Sequence, residues 1–326
     1  MKTQTIQATH LKTICWWNNM IVDWAAGTTY SLDGTVKQLV RHYAFDFDTA
    51  ITSADGKYVF IYNKLGTKGL LLKNGELIKE INRPYYCANV YEFPAAFATL
   101  KDKTYLIHCP VAYNQLDFED VDTGEIITNI KDRNPDDRFH SRLEVSPAGI
   151  FLMSKGWVWH PFDEINIYDI KQCIKNPLLL DHPQFRPNVN VEISTASFIN
   201  NKEIVIGSSD GVLDEDDIGK LPPKHICLYN FTANQFVKPI KTKEEFGNLF
   251  AINANHAWDM FGFPKIIDIN TGEIVDKNNE INSGKQQSSI INSTDYFPSI
   301  IFNKQTGQIA INSKNKIEVL TPDQGF

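Results

Sequence analysis

The sequence predicts an all-β fold, a seven-bladed β-propeller of four-stranded antiparallel blades. Three observations lead to it. Pairs of apolar runs separated by a polar turn recur every 37 to 54 residues, a second set of turns is interleaved with the first, and no stretch keeps a helical period over three turns. Four short strands in a period of about 40–50 residues are typical of one propeller blade.

The first set of turns separates strands a and b of each repeat, where a is the strand nearest the propeller axis and d the outermost. Each turn is polar or contains glycine, as in SADGKYVFIY, because glycine readily adopts the positive φ of tight hairpin turns. Seven such turns predict seven blades. They are centred on Asn19, Gly56, Lys103, Gly149, Asn201, Asn255 and Gly307.

The second set of turns separates strands c and d. Asp-Gly, Asn-Gly and Thr-Gly between apolar runs are hairpin signals. Two interleaved sets with one period predict four strands in each repeat. The turns lie at Asp33-Gly34, Asn74-Gly75, Thr123-Gly124, Lys171-Gln172, Ala233-Asn234 and Thr271-Gly272, and a seventh is expected near Pro322.

The last repeat shows only three strands, SIIFN, QIAINS and KIEVL. The β-prone segment from Thr3 to Thr9 has no other partner, so we expect it to supply the missing outer strand and close the ring. Residues 1–326 then form one propeller domain, with blades at approximately 11–42, 43–84, 85–135, 136–182, 183–240, 241–280, and 281–326 plus 1–10.

Little helix is expected. Only residues 242–246 (TKEEF) and 214–219 have brief helical character. A pair of β-sandwiches with similar turns is the alternative fold, but the even number of strands in each period favours the propeller.

Composition and charge exclude several classes of protein. The net charge of −7, from 32 basic and 39 acidic residues, argues against a dedicated nucleic-acid binder, which usually carries a basic stripe. The N-terminal residues MKTQTIQATHLK lack a signal-peptide core, and no apolar run approaches the length of a membrane span. We therefore expect a cytoplasmic monomer that binds neither nucleic acid nor membrane.

Three segments look like the core of known propeller blades: SADGKYVFIY (53–62), VSPAGIFLM (145–153) and INIYDI (165–170). With them the chain resembles the WD-repeat-like and YVTN-like class of seven-bladed propellers. The Gly-His and Trp-Asp signatures of WD repeats are missing from their usual positions, since Trp258-Asp259 falls on the second strand of its blade. The resemblance implies the fold and a class used mainly as binding platforms, with some enzymes among its relatives.

Side chains suited to binding are concentrated in the connections between strands b and c and in the links from strand d to the next strand a. Both kinds of connection emerge on one face of a propeller. These segments are rich in Trp, Tyr and Arg, the residues that dominate binding hot spots. We expect Trp159, Phe162 and Trp258 to anchor a protein partner. The full predicted contact set is Tyr113, Arg133, Arg138, His140, Trp157, Trp159, His160, Phe162, Asp163, Arg186, Asp214, Glu215, Asp216, Asp217, Trp258 and Phe261.

Catalytic and metal sites are weakly indicated. His140, His160, His182 and Asp163, with Glu144, could meet near the central opening as an acid–base or metal group. The G-x-S-x-G match at residues 207–211 is followed by an acidic loop instead of the helix of a nucleophile elbow. The five cysteines form no CxxC pair, which leaves a zinc site unsupported. We assign no catalytic residue, metal or cofactor.

The leading interpretation is therefore a non-enzymatic propeller that binds another protein, with the acidic residues 214–217 favouring a basic partner. A bacterial immunity protein or inhibitor that binds a toxin would fit a rigid, acidic, non-catalytic binder. The alternative is a propeller hydrolase or lyase with a small-molecule or glycan site in the central funnel.

Overall fold

Seven antiparallel sheets are arranged in a ring in a computed structural model of the chain, which describes residues 1–43, 46–216, 219–292, 294 and 296–323. The chain begins with β1 (Lys2–Gln7), which belongs to the last blade. Blade 1 contains β2 (Cys15–Trp17), β3 (Met20–Asp23), β4 (Thr28–Ser31) and β5 (Val36–Gln38). Blade 2 contains β6 (Thr49–Thr52), β7 (Tyr58–Tyr62), β8 (Lys68–Lys73) and β9 (Glu76–Asn82).

Blades 3 and 4 keep only a single bridge at the place of strand d. In blade 3, the bridge joins Glu119 to Ile126, and in blade 4 it joins Ile167 to Phe185. Strand a of blade 4 is split into two pieces that pair with the same strand b. The strands are β10 (Ala96–Leu100), β11 (Lys103–His108) and β12 (Asp117–Asp120) in blade 3, and β13 (Arg138–Phe139), β14 (Glu144–Val145), β15 (Phe151–Val158) and β16 (Phe162–Asp169) in blade 4.

Helix occurs where the sequence predicts a turn. The segment after β16 forms α1 (Ile170–Lys175) and then a 3₁₀ helix (Pro177–Leu180), so the c–d turn expected at Lys171-Gln172 is wrong. The side chain of Asp169 caps α1, since its Oδ1 accepts a hydrogen bond from the Gln172 amide at 2.9 Å. The brief helices expected at residues 242–246 and, where described, 214–219 are absent.

The remaining blades each have four strands, and the ring closes as predicted. Blade 5 contains β17 (Val191–Phe198), β18 (Glu203–Val212), β19 (His225–Asn230) and β20 (Gln235–Lys241). Blade 6 contains β21 (Leu249–Ala251), β22 (His256–Asp259), β23 (Lys265–Asp268) and β24 (Ile274–Lys277). Blade 7 contains β25 (Ile300–Asn303), β26 (Gln308–Asn312) and β27 (Lys316–Thr321), and its strand d is β1, which pairs with β27 from Lys2↔Thr321 to Gln7↔Lys316.

Tryptophans connect neighbouring blades at their a–b turns. The Trp17 indole N–H donates to the Gly56 carbonyl at 2.9 Å, and that of Trp258 donates to the Gly307 carbonyl at 2.8 Å. Trp258 lies on strand b of blade 6, as expected, but it is 0% exposed. The prediction that Trp258 anchors a partner is therefore wrong, because its side chain belongs to the core between blades 6 and 7.

Candidate functional site

The connection between β15 and β16 is a tight hairpin. Val158 pairs directly with Phe162, so only residues 159–161 form the turn. His160 occupies the left-handed region with φ 83° and is exposed. Because β16 already includes Asp163, the alternation of the strand turns this side chain into the interior, where it is 1% exposed, while Trp159 in the turn stays at the surface.

Five aromatic side chains around this hairpin form one cluster, which we call the aromatic patch: Tyr86, Tyr113, Phe139, Trp157 and Trp159. Phe139 lies in its middle, with its ring stacked on Trp157 at a centroid distance of 3.8 Å. Tyr113 and Trp159 contact the same ring at 4.8 and 5.4 Å. Tyr86 packs on Tyr113 at 4.7 Å and reaches Trp159 at 6.2 Å.

The patch has a buried base and an exposed outer surface. Phe139 and Trp157 are 0% and 3% exposed, whereas Tyr86 and Trp159 are 47% and 45% exposed. A glycine allows the base to form, because a Cβ at Gly156 would lie 1.9 Å from the Phe139 carbonyl oxygen. The exposed rings therefore rest on a packed support.

Polar contacts of Tyr113 and of Arg83 fix the surroundings of the patch. The Tyr113 hydroxyl donates to Asp137 Oδ1 at 2.5 Å, and burial together with this carboxylate raises the pKa of Tyr113. On the other side, the buried Arg83 donates to the carbonyls of Gly66, Ala88 and Tyr91 at 2.7 to 2.9 Å. Arg83 thereby holds the link that carries Tyr85 and Tyr86 in one conformation.

A chain of contacts joins the patch to the acidic loop of blade 5. The Asp163 amide donates to Glu192 Oε1 at 2.8 Å, and Ser209 donates to the same carboxylate. The Gly211 amide donates to Ser209 Oγ at 3.0 Å, at the end of β18 where the loop begins. Beyond it, Asp214, Glu215 and Asp216 are exposed, while Asp217 lies outside the described residues. The face with the b–c connections thus carries aromatic and acidic groups side by side.

The side chain of Arg133 is 3% exposed and lies in the interior. Its Nε donates to Asp181 Oδ1 at 2.6 Å and its Nη1 to Asp117 Oδ1 at 3.0 Å. The same guanidinium donates to the carbonyls of Thr128 and Leu116. The expectation that Arg133 contacts a partner is wrong, because this network uses the side chain to fix the link between blades 3 and 4.

Arg138 and His140 are also buried structural residues. Arg138 pairs with Asp136 at 2.9 Å and with Glu164. The His140 ring hydrogen-bonds to Ser154 Oγ at 3.1 Å through Nδ1, and burial lowers the pKa of His140 to about 3. A neutral, enclosed imidazole cannot meet a partner, and the prediction of contact is wrong for both residues.

The predicted acid–base group does not assemble. Asp163 is held by the amide of Ser289 at 2.9 Å and by its hydroxyl, His140 binds Ser154, and His160 is on the exposed turn. His182 Nδ1 pairs with Asp136 at 2.9 Å. Burial raises the pKa of Asp163 to about 6. In the described parts of the chain no three His, Cys, Asp or Glu residues cluster as metal ligands.

The other predicted contact residues lie in varied settings. Tyr113, Phe162 and Phe261 are partly buried, Arg186 is exposed, and Trp157 and Asp163 are buried beneath the hairpin. Sequence reasoning left Tyr86 and Phe139 out of the contact set. The adjacent tyrosines in Arg83-Pro84-Tyr85-Tyr86 are a visible signal for the first, but nothing in the sequence marks Phe139 as the centre of a cluster.

No helix in the described ranges is long and apolar enough to cross a membrane.

Comparison with known proteins supports the fold. No protein-family model matches the chain, and neither does any curated protein. Among solved structures it is similar to the β-propeller domain of Cps50 (Swd1) from Myceliophteria thermophila, with a TM-score of 0.61, 11% identity and coverage of 98% of this chain and 99% of that one. It is also similar to a chain of the mitotic checkpoint complex, with a TM-score of 0.60, 10% identity and coverage of 98% and 91%. These similarities confirm the predicted β-propeller fold.

Proposed function

We propose that this chain is a non-enzymatic propeller that binds a basic protein segment at the aromatic patch. The observation that carries the proposal is the pair of exposed rings, Tyr86 and Trp159, supported from below by Phe139 and Trp157. Tyr and Trp bury a large area at little cost in conformational entropy, which makes them frequent hot spots. One of the similar propellers comes from a multi-component complex, which agrees with a binding role.

The charge around the patch favours a basic partner. Asp137 lies at its rim, the exposed carboxylates of Asp214 to Asp216 lie beyond the hairpin, and the net charge is −7. Acidic groups beside aromatic anchors accelerate the encounter with a basic segment and disfavour an acidic one. A toxin with a basic surface is one partner of this chemistry, and an immunity-type role remains a prediction.

The proposal can be tested without knowing the partner by selecting ligands from a displayed library of random dodecapeptides. We expect the enriched peptides to carry Lys or Arg together with an apolar anchor. A Tyr86→Ala/Trp159→Ala variant should bind them about 30-fold or more weakly, because loss of one hot-spot side chain alone costs about 2 kcal/mol or more. Fluorescence anisotropy of labelled peptides gives the dissociation constants.

A matched control removes exposed apolar side chains from the opposite face. Leu77 and Ile150 are 50% and 42% exposed and lie beside a c–d and an a–b turn. Leu77→Ala/Ile150→Ala should bind the selected peptides like the wild type. Equal binding by the patch variant, or enrichment of acidic peptides, would show that the proposed surface or its partner chemistry is wrong.

A further inference from the structure

A cavity of about 390 Å³ lies on the propeller axis. Residues from all seven blades line it, among them Trp16, Thr49, Ala95, Glu144, Thr195, Phe250 and Phe302. This volume falls in the range of small-molecule sites, about 300–1,000 Å³. The cavity is separate from the aromatic patch, and the inference drawn from it is independent of the proposed function.

A segment of the long link between blades 6 and 7 crosses the b–c end of the cavity. We call residues 284–291 the strap. The Ser289 amide donates to Asp163 of blade 4 at 2.9 Å, and the Ile291 amide donates to the Val90 carbonyl at 2.7 Å. Gln286 of the strap lines the cavity and donates to Glu92 at 3.4 Å. Attachment to blade 4 and to the link before blade 3 makes the strap a roof, which leaves the a–b end as the entrance.

Cations outnumber carboxylates in the cavity wall. The cations are Lys64, Arg142, Lys155 and Lys304, and the carboxylates are Glu92 and Glu144, a difference of 4 − 2 = 2 positive charges among the lining residues that are described. Asp163 lies behind the wall, 3.9 Å from Arg142, and its inclusion still leaves one positive charge. A protein with a net charge of −7 thus keeps a cationic wall at its axis.

Glu144 organises two of these cations. Its carboxylate lies 2.6 Å from Lys155 Nζ and 2.7 Å from Lys304 Nζ, and the Phe198 amide donates to it at 3.1 Å. The two lysines lower the pKa of Glu144 to about 2, against the opposing effect of burial. One carboxylate therefore lies beside two lysines, and burial lowers the pKa of Lys155 against the opposing effect of Glu144.

The cations retain hydrogen-bonding capacity. Lys155 donates to Glu144 and the Ala196 carbonyl, while Lys304 contacts Glu144 and the Val145 carbonyl, so each ammonium has a third N–H for a ligand oxygen. Arg142 has φ 44°, a side chain 6% exposed, and a buried Nη2 without a hydrogen-bond partner. A left-handed backbone conformation at a non-glycine residue and a buried nitrogen without a hydrogen bond both raise the free energy of the folded state. Such features concentrate at functional sites.

Apolar surface completes the wall. Trp16, Phe250 and Phe302 line the cavity, and the rings of Phe250 and Phe302 pack against each other at 5.5 Å. Aromatic walls with a few polar groups are typical of sites for organic molecules. An inorganic ion alone would leave this surface without a contact.

We propose that the axial cavity binds a small organic anion, whose carboxylate or phosphate pairs with Lys304 and Lys155 and whose apolar body packs against Trp16 and Phe250. Phenyl phosphate is a suitable probe, with inorganic phosphate and neutral benzyl alcohol as comparisons. We expect phenyl phosphate to raise the melting temperature and to bind at least tenfold more tightly than either comparison in calorimetry.

Lys304 is the position to vary, because it is partly exposed and its loss leaves Glu144 paired with Lys155. Lys304→Ala should weaken phenyl phosphate binding about tenfold, since a hydrogen bond between charged groups is lost. Lys304→Arg should restore most of the affinity, and Lys224→Ala, which removes an exposed cation of blade 5, should leave it unchanged. Equal binding of phenyl phosphate and inorganic phosphate, no binding of either, or wild-type affinity in Lys304→Ala would overturn the proposal.

Discussion

Replacement of Arg133 by Met is expected to lower the free energy of unfolding by about 3–5 kcal/mol, because it leaves buried carboxylates without their cation. The side chain of Arg133 is 3% exposed, and those of Asp117 and Asp181 are 0% and 4% exposed. Arg133 holds the link between two blades that each have only a bridge at the place of strand d. Urea denaturation followed by tryptophan fluorescence measures the change.

An exposed arginine provides the control for this prediction. Arg41 pairs with Glu76 at 2.8 Å, but the two side chains are 54% and 64% exposed. Solvent screening limits such pairs to about 0–1 kcal/mol, so Arg41→Met should unfold almost as the wild type does. Similar losses in the two variants would mean that the Arg133 network does not support the interblade link.

Deletion of residues 1–9 is expected to lower the melting temperature by about 6 °C or more. The deletion removes all six pairs between β1 and β27 and the buried side chain of Ile6. Burial of one isoleucine contributes about 1.5–3 kcal/mol and each net backbone hydrogen bond about 0.5–1.5 kcal/mol, while each kcal/mol shifts the melting temperature by about 2–4 °C in domains of 150–250 residues. Differential scanning calorimetry gives the shift.

A synthetic peptide of residues 1–9 distinguishes strand pairing from other effects of the deletion. Added in excess, it should restore part of the lost stability by occupying the free edge of β27. The same peptide with Ile6→Asp should not, because Ile6 is buried between blades 7 and 1. If the shortened chain melts like the full one, β1 does not close the ring in a way that matters for stability.

Much of the fold could be predicted from local turn chemistry. Gly56 and Gly149 have φ 70° and 71°, as the hairpin pattern requires, and the three-strand last repeat indicated closure by β1. Blades 3 and 4 differ because each has only a single bridge at the place of strand d, and side-chain contacts between distant residues hold the link between them. The bonds from Arg133 to Asp117 and Asp181 span 16 and 48 positions, and no repeat pattern encodes them.

The candidate site could be predicted only in part. Trp159 and Tyr113 were found because aromatic residues in b–c connections stand out. Trp157, two positions before Trp159, was predicted to lie at the surface. Because β15 extends to Val158, the side chain of Trp157 lies instead in the buried base of the aromatic patch. Residue type alone does not distinguish an exposed arginine or tryptophan from one covered by a neighbouring loop, which explains the errors at Arg133 and Trp258.

The most direct test of the account is the footprint of a selected basic peptide, measured by hydrogen–deuterium exchange of the free and bound protein. We predict protection in the segments that carry the patch, residues 85–90, 111–114 and 157–162, and in the beginning of the acidic loop. The a–b turns around Gly56 and Gly149, on the opposite face, should exchange unchanged. Protection confined to those turns or to the cavity wall, with the patch unaffected, would contradict partner binding at the b–c face.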